Sequence, residues 1–104
     1  MKIVFVSGPM TGIEDLNYVR FRDARRRLVS SSTAVVIPHD AFGGAWGYPD
    51  EVYHRVDQAM LNMCDEVYML EGWQDSPGAR REHSVAECLG KQISYEAMER
   101  HESD

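Results

Sequence analysis

Ile3-Val4-Phe5-Val6-Ser7-Gly8-Pro9-Met10-Thr11-Gly12 is the stretch whose reading decides the fold. Its first four residues form an unbroken apolar run, β-branched or aromatic throughout. A strand with one wet face would alternate, so this one reads as buried on both faces. Ser7, Gly8 and Pro9 stop it. A strand of that kind belongs inside a parallel sheet, and the rest of the chain supplies the partners.

Tyr18, Phe21, Ala24 and Leu28 recur at helical spacing and predict an amphipathic helix over 18–30. Arg20, Arg22 and the run Arg25, Arg26, Arg27 fall on its solvated side. Ala34-Val35-Val36-Ile37 reads as a second buried strand, stopped by Pro38. Residues 38–49 form a long loop carrying Phe42, Trp46 and Tyr48, and long loops in small domains tend to be functional. Asp50 is placed to cap a second helix, with Val52, Val56, Ala59, Met60 and Met63 along its apolar face, and Asp65 ends it. Val67-Tyr68-Met69-Leu70 is a third strand. A third helix is expected over 78–89, closed by Gly90 in a left-handed cap, and Ile93-Ser94-Tyr95 is a weak fourth strand. The order βαβαβαβ predicts an α/β domain with a parallel sheet of about four strands and right-handed crossovers. Residues 1–95 form the domain and 96–104 a charged tail.

With 104 residues there is room for one core. At 43% hydrophobic and 27% charged residues the chain lies in the globular range, which excludes disorder. A net charge of −6 repels a phosphate backbone, so polymeric nucleic acid is not the expected partner. Cys64 and Cys88 lack metal-ligand spacing and read as buried free thiols. The four histidines suggest no metal site. The first apolar run is too short to span a bilayer, and no signal segment precedes it, so no membrane partner and a cytoplasmic location are expected.

In open parallel sheets, ligands bind beyond the carboxyl ends of the strands. Three segments gather there: 7–12, 38–49 and 71–78. On a wheel of about 100° per residue with Glu82 at zero, Val85 falls near −60°, Ala86 near +40° and Leu89 near −20°. Glu82 therefore lies in the middle of the face that packs on the sheet, while Arg80 and Glu87 point away. A core-facing carboxylate needs a partner or a task. Backbone amides at the helix start are the plain alternative. Asp57, flanked by Tyr53, Met60, Leu61 and Cys64, borders an apolar stripe in the same manner. Its plain alternative is a bond to His54, Arg55 or a loop.

Gly8 and Gly12 would let a ligand approach the backbone, and Thr11 offers a hydroxyl, although a simple strand-to-helix turn reads equally well. Neither a Walker A sequence nor GxGxxG is present. Ser76 caps the third helix and Pro77 suits its first position. The amides exposed there can also hold a phosphate or a sugar hydroxyl. Trp46, Tyr48 and Trp73 could form an aromatic wall for a base or simply cover the core.

Ser7-Gly8-Pro9-Met10-Thr11-Gly12, Asn17, Phe21, Arg55-x-Asp57, Cys64-Asp65, Gly72-Trp73 and Ser76-x-Gly78-Ala79-x-x-Glu82-His83 occur in this order. Over residues 3–95 the chain thereby resembles the nucleoside 2-deoxyribosyltransferase-like superfamily, in a short branch found in bacteria and phages. The resemblance implies a flavodoxin-like three-layer α/β/α fold and a nucleoside or nucleotide ligand. It implies Glu82 as the nucleophile at the anomeric carbon, with Asp57 contacting the sugar or assisting the leaving base. Ser76 and Gly78 would hold the 5′ end. The first loop, with Ser7, Gly8, Met10, Thr11 and Gly12, would line the sugar and base, with Asn17 and Trp73 also in the binding set. No metal or organic cofactor is required. Relatives complete the pocket with a segment after the fourth strand of a neighbouring subunit, so a homodimer or higher homo-oligomer is implied, although residues 96–104 are mostly charged here.

The expected activity is cleavage of an N-glycosidic bond, or deoxyribosyl transfer, through a glycosyl-Glu82 intermediate. The alternatives are a non-catalytic nucleotide-binding module, for sensing or sequestering, and a small interaction protein using its acidic surface.

Overall fold

The computed structural model of the chain describes residues 1–42 and 47–98. The central strand is the one the opening run predicts. β1 (Lys2–Ser7) lies between β2 (Thr33–Val36) and β3 (Glu66–Met69), and β4 (Gln92–Tyr95) pairs with β3. The order is β2-β1-β3-β4 and every pairing is parallel. α1 (Tyr18–Leu28) covers one face of the sheet, and α2 (Asp50–Met63) and α3 (Pro77–Cys88) cover the other. This is the three-layer, flavodoxin-like α/β/α arrangement.

Side chains alternate across a strand, so each residue of β1 is assigned to one layer. Val4 and Val6 pack with Phe21 and Ala24 of α1 and with Val35, Ile37, Tyr68 and Leu70. Phe5 packs with Leu61, Val67, Met69, Ala79 and Ala86 on the α2–α3 side. Ser7 has the parity of Phe5 and points to the α2–α3 side as well. Among the described residues no helix is long and apolar enough to cross a membrane.

Local signals placed most helix ends. Ser76 Oγ accepts the Ala79 N–H at 3.2 Å, as a helix cap does, and Pro77 opens α3. Gly90 takes φ +69° just past α3. Three expectations need correction. Pro49, not Asp50, precedes α2, and Asp50 is already helical and exposed. Leu89 lies beyond the last turn of α3 and is 52% exposed, because the helical wheel no longer applies there. Cys64 is buried as expected, but Cys88 is exposed.

α2 departs most from its pattern. Val52, Val56, Ala59, Met60 and Met63, expected to form the core face, line an open apolar groove with Arg55. The helix instead buries Leu61 and continues into Cys64, with Met60 at the edge of that contact. On the helical wheel this core-facing arc is rotated by about a third of a turn from the Val52–Met63 stripe. Asp57 stands near its middle.

The arginines of α1 are not a purely solvated face. Arg25 Nη1 donates to both Asp40 carboxylate oxygens at 2.8 Å. Arg20 and Arg27 reach Glu96 at 2.7 and 3.0 Å. Glu96 also accepts the Glu71 N–H at 2.9 Å, and Arg20 donates to the Glu71 carbonyl at 3.0 Å. Glu96, grouped by composition with the charged tail, is therefore buried and ties the end of β4 to α1 and to the loop after β3.

Burial pushes the Glu96 pKa up, but the Glu71 amide and the two arginines outweigh it, and the net shift is downward. A carboxyl with a lowered folded pKa adds stability above its ordinary pKa and loses it as pH falls through the folded value. Glu96→Gln should therefore lower stability at pH 7 by on the order of 1 kcal/mol, screening of the half-exposed arginines included. The deficit should vanish as urea unfolding is followed down through the carboxyl range toward pH 3.

Candidate functional site

Ser7, at the carboxyl end of β1, is fully buried. Its hydroxyl donates to Glu82 Oε1 at 2.5 Å. Glu82 stands in the second turn of α3, directed at the sheet as the wheel predicts. The Asp57 carboxyl, projected from α2, is within hydrogen-bonding reach of Glu82. The two carboxylates singled out from helical spacing thus meet beneath the α2–α3 layer, at the carboxyl edge of the sheet.

Both residues are half-buried, and their environment differs from that of the fully buried carboxylates. Glu66 receives Lys2 Nζ at 3.0 Å and Ser94 Oγ at 2.7 Å. Glu96 has two arginines and an amide. Among the described residues, neither Asp57 nor Glu82 makes an ion pair, and Asp57 Oδ1 is buried with no hydrogen-bond partner. Burial, followed by the charge of Asp57, pushes Glu82 well above the usual carboxylate range. The Ser7 hydrogen bond and the field of Arg81 oppose that rise. Burial also raises Asp57, against its contact with Glu82 and the field of His54. Two carboxyls in such proximity cannot both ionise cheaply, so sharing one proton is the favoured arrangement.

The surrounding loops close on this pair. Leu70 N–H donates to the Ser7 carbonyl at 2.8 Å. Gly72, at φ +90°, faces Pro9, so the loops after β1 and β3 approach each other at the carboxyl edge of the sheet. Gly8 is required by packing, because a Cβ there would meet Leu70 Cβ and Cδ1 at 2.8 Å. Met10 packs on the α1-side core. Thr11 and Gly12 are exposed, and Gly12 turns at φ +81°. Gly78 is half-buried, with open space where a side chain would stand.

Asn17 is buried, and its Nδ2 donates to the Pro9 carbonyl at 2.9 Å. It closes the first loop on itself after three consecutive left-handed residues, Asp15, Leu16 and Asn17. His39 Nε2 holds the Leu16 carbonyl at 2.9 Å.

The aromatic residues form two groups. Trp73 stacks on His83, with centroids 4.3 Å apart and planes at 17°, and His83 Nε2 shares a hydrogen bond of 2.8 Å with the Tyr95 hydroxyl. Tyr48 joins Phe42 and Tyr53, and the Tyr53 hydroxyl accepts the Gly47 and Tyr48 amides. Trp46 lies outside the described residues. Tyr53 is one helical turn before Asp57, so this second group sits beside the carboxyl pair. Helical spacing places Tyr53 next to Asp57 but does not reveal its partnership with Phe42 and Tyr48. The His83–Trp73 stack was likewise hidden, although His83 directly follows Glu82. Among the described residues no three His, Cys, Asp or Glu side chains gather as a metal ion would require.

Gly8→Ala should cost about 1–3 kcal/mol in urea unfolding, since the Leu70 Cβ belongs to the packed core and cannot swing aside. Glu82→Gln should have the opposite effect. A carboxyl whose folded pKa is raised weakens the fold as pH climbs from its ordinary pKa toward the folded one. The amide removes that penalty, so the variant should gain on wild type by up to about 1.4 kcal/mol per pH unit across that interval. A constant difference between the two proteins from pH 4 to 8 would contradict the shared-proton description.

No curated protein matches the chain. One family does, over nearly its whole length, from the first residue of β1 to the last of β4. The chain belongs to the family described as Domain of unknown function (DUF4406), which matches residues 2–95.

Proposed function

We propose that this protein cleaves the N-glycosidic bond of a nucleoside or nucleotide, passing the sugar to water or to a second base. The observation that carries this reading is the Glu82–Asp57 pair: two carboxyls, desolvated, without a cation, at the ligand-binding edge of a parallel sheet. The buried carboxylates Glu66 and Glu96 are neutralised by cations, so this pair is maintained at a cost to stability, as functional groups commonly are. The resemblance of Ser7–Gly12 and of Gly78–His83 to the nucleoside 2-deoxyribosyltransferase-like superfamily supports the same reading.

The chemistry suits the groups. Breaking the C1′–N bond builds positive charge on the sugar, and a carboxylate stabilises it and then traps it. Glu82, ionised, forms the bond to C1′ as the electron pair of the C1′–N bond leaves with the base. Asp57, to which the pair's proton must first pass from Glu82, delivers it to the departing nitrogen. Water or another base then attacks C1′ and gives its proton to the Asp57 carboxylate, while the C1′–Glu82 bond breaks to release the Glu82 carboxylate. Ser76 and Gly78, at the start of α3, would receive the 5′ end. The Phe42, Tyr48 and Tyr53 group stands where a base could stack.

Free base should appear by chromatography when the protein is incubated with a panel of nucleosides and 5′-monophosphates. Glu82→Ala should lower the rate at least about 10³-fold and Asp57→Asn about 10²–10⁴-fold. Binding without turnover for every compound would replace the enzyme by a nucleotide-binding module. Neither binding nor turnover would remove both.

A further inference from the structure

Ser7 was expected to touch the ligand, but its geometry assigns it another task. It is 0% exposed, at the end of the central strand, and its hydroxyl is committed to Glu82 Oε1. It stands behind the carboxyl, on the sheet side. We propose that Ser7 is a positioning residue, which fixes the Glu82 carboxyl from behind and stabilises its ionised form for attack, and that it makes no contact with the substrate. This rests on the nucleophilic role proposed for Glu82.

The charges facing the pair make such a group necessary. From α2, Asp57 opposes ionisation of Glu82, and His54 favours the charged form of Asp57. From α3 itself, Arg81 favours the charged form of Glu82, but it is exposed and acts through solvent. From β1, Ser7 supplies the one hydrogen bond to Glu82 that favours the carboxylate. A hydroxyl placed against a carboxylate can only donate, because the ionised acid has no proton to offer. Asp57 Oδ1 has no such donor. The Ser7 hydroxyl therefore opposes the burial and the Asp57 contact that hold a proton on Glu82, and it lowers the cost of the ionised Glu82 that attack demands. Geometry favours the same assignment. Ser7 is anchored by the β1–β3 pairing, in register with Met69, so it holds Glu82 from a paired position of the central strand.

The test is the pH dependence of Ser7→Ala, with Ser7→Thr as the variant that keeps the hydroxyl and Ser7→Cys as the nearly isosteric weak donor. In Ser7→Ala the acid limb of kcat should move up by about one pH unit, with KM changed less than about twofold. Ser7→Thr should restore the limb, and Ser7→Cys should behave like alanine. The Glu82 carboxyl, followed by carbon-13 NMR in ligand-free protein, should show the same upward shift in its titration. If Ser7→Ala does not fold, Ser7→Cys carries the comparison.

An unmoved Glu82 titration in a folded Ser7→Ala or Ser7→Cys protein would overturn the proposal. So would a rise in KM with an unchanged pH profile, since that marks a ligand contact. If no nucleoside or nucleotide is turned over by wild type but the titration still moves, Ser7 tunes Glu82 as proposed and the glycosidic reading alone is lost.

Discussion

Burial of β1 on both faces is the constraint from which the rest of this structure follows. A strand covered on both sides must pair on both edges and be roofed by helices above and below, and in a parallel sheet the crossovers supply those helices. Alternation along β1 then divides its side chains between two layers. Val4 and Val6 serve the α1 layer, and Phe5 serves the α2–α3 layer. Ser7 is the next position on the latter side, where the strand runs out. The same period that fills the core with Phe5 thus delivers a hydroxyl to Glu82. Fold and site are linked by one strand and one register.

The two sides of the sheet solve the problem of buried charge differently. On the α1 side, Glu66 and Glu96 are surrounded by Lys2, Ser94, Arg20 and Arg27. On the other side, Glu82 and Asp57 have each other and Ser7. The basic residues are unevenly distributed, with five arginines on α1 alone. Moving cations to one layer leaves the other with a carboxyl pair that must keep a proton.

Much of this was legible in the sequence, because the deciding signals are local. The apolar run of β1 needs only its own residues, as do the Ser76 cap and the left-handed Gly90. The displacement of Glu82 from the expected polar face needs only the period of one helix. The failures all involve information held by a second element. α2 carries apolar residues around more than half its circumference, so periodicity alone could not choose between the Val52–Met63 stripe and the arc containing Asp57 and Leu61. Gly8 looks like ligand access until Leu70 is placed beside it. Asn17 looks like a ligand contact until the Pro9 carbonyl claims its amide. Trp73, Tyr48 and Phe42 are aromatic loop residues in the sequence, and only the fold sorts them into one group on His83 and another on Tyr53.

These corrections change what the site is made of. Asn17 and Gly8 shape the first loop from within, and Trp73 braces the loop before α3 against His83. Around the carboxyl pair, Thr11 is exposed and Gly78 leaves open space at the start of α3. A binding loop whose own polar groups are already satisfied does not have to order itself when a ligand arrives. The left-handed run of Asp15, Leu16 and Asn17 is consistent with this. Such a backbone costs roughly 1–2 kcal/mol per residue and persists only where neighbouring contacts over-determine it. Asn17 on Pro9 and His39 on Leu16 are those contacts. The first loop is therefore held in shape by residues behind it, just as Glu82 is held by Ser7. In both places a polar group that reads as a ligand contact from sequence bonds one layer deeper, Ser7 to the Glu82 carboxyl and Asn17 to the Pro9 carbonyl.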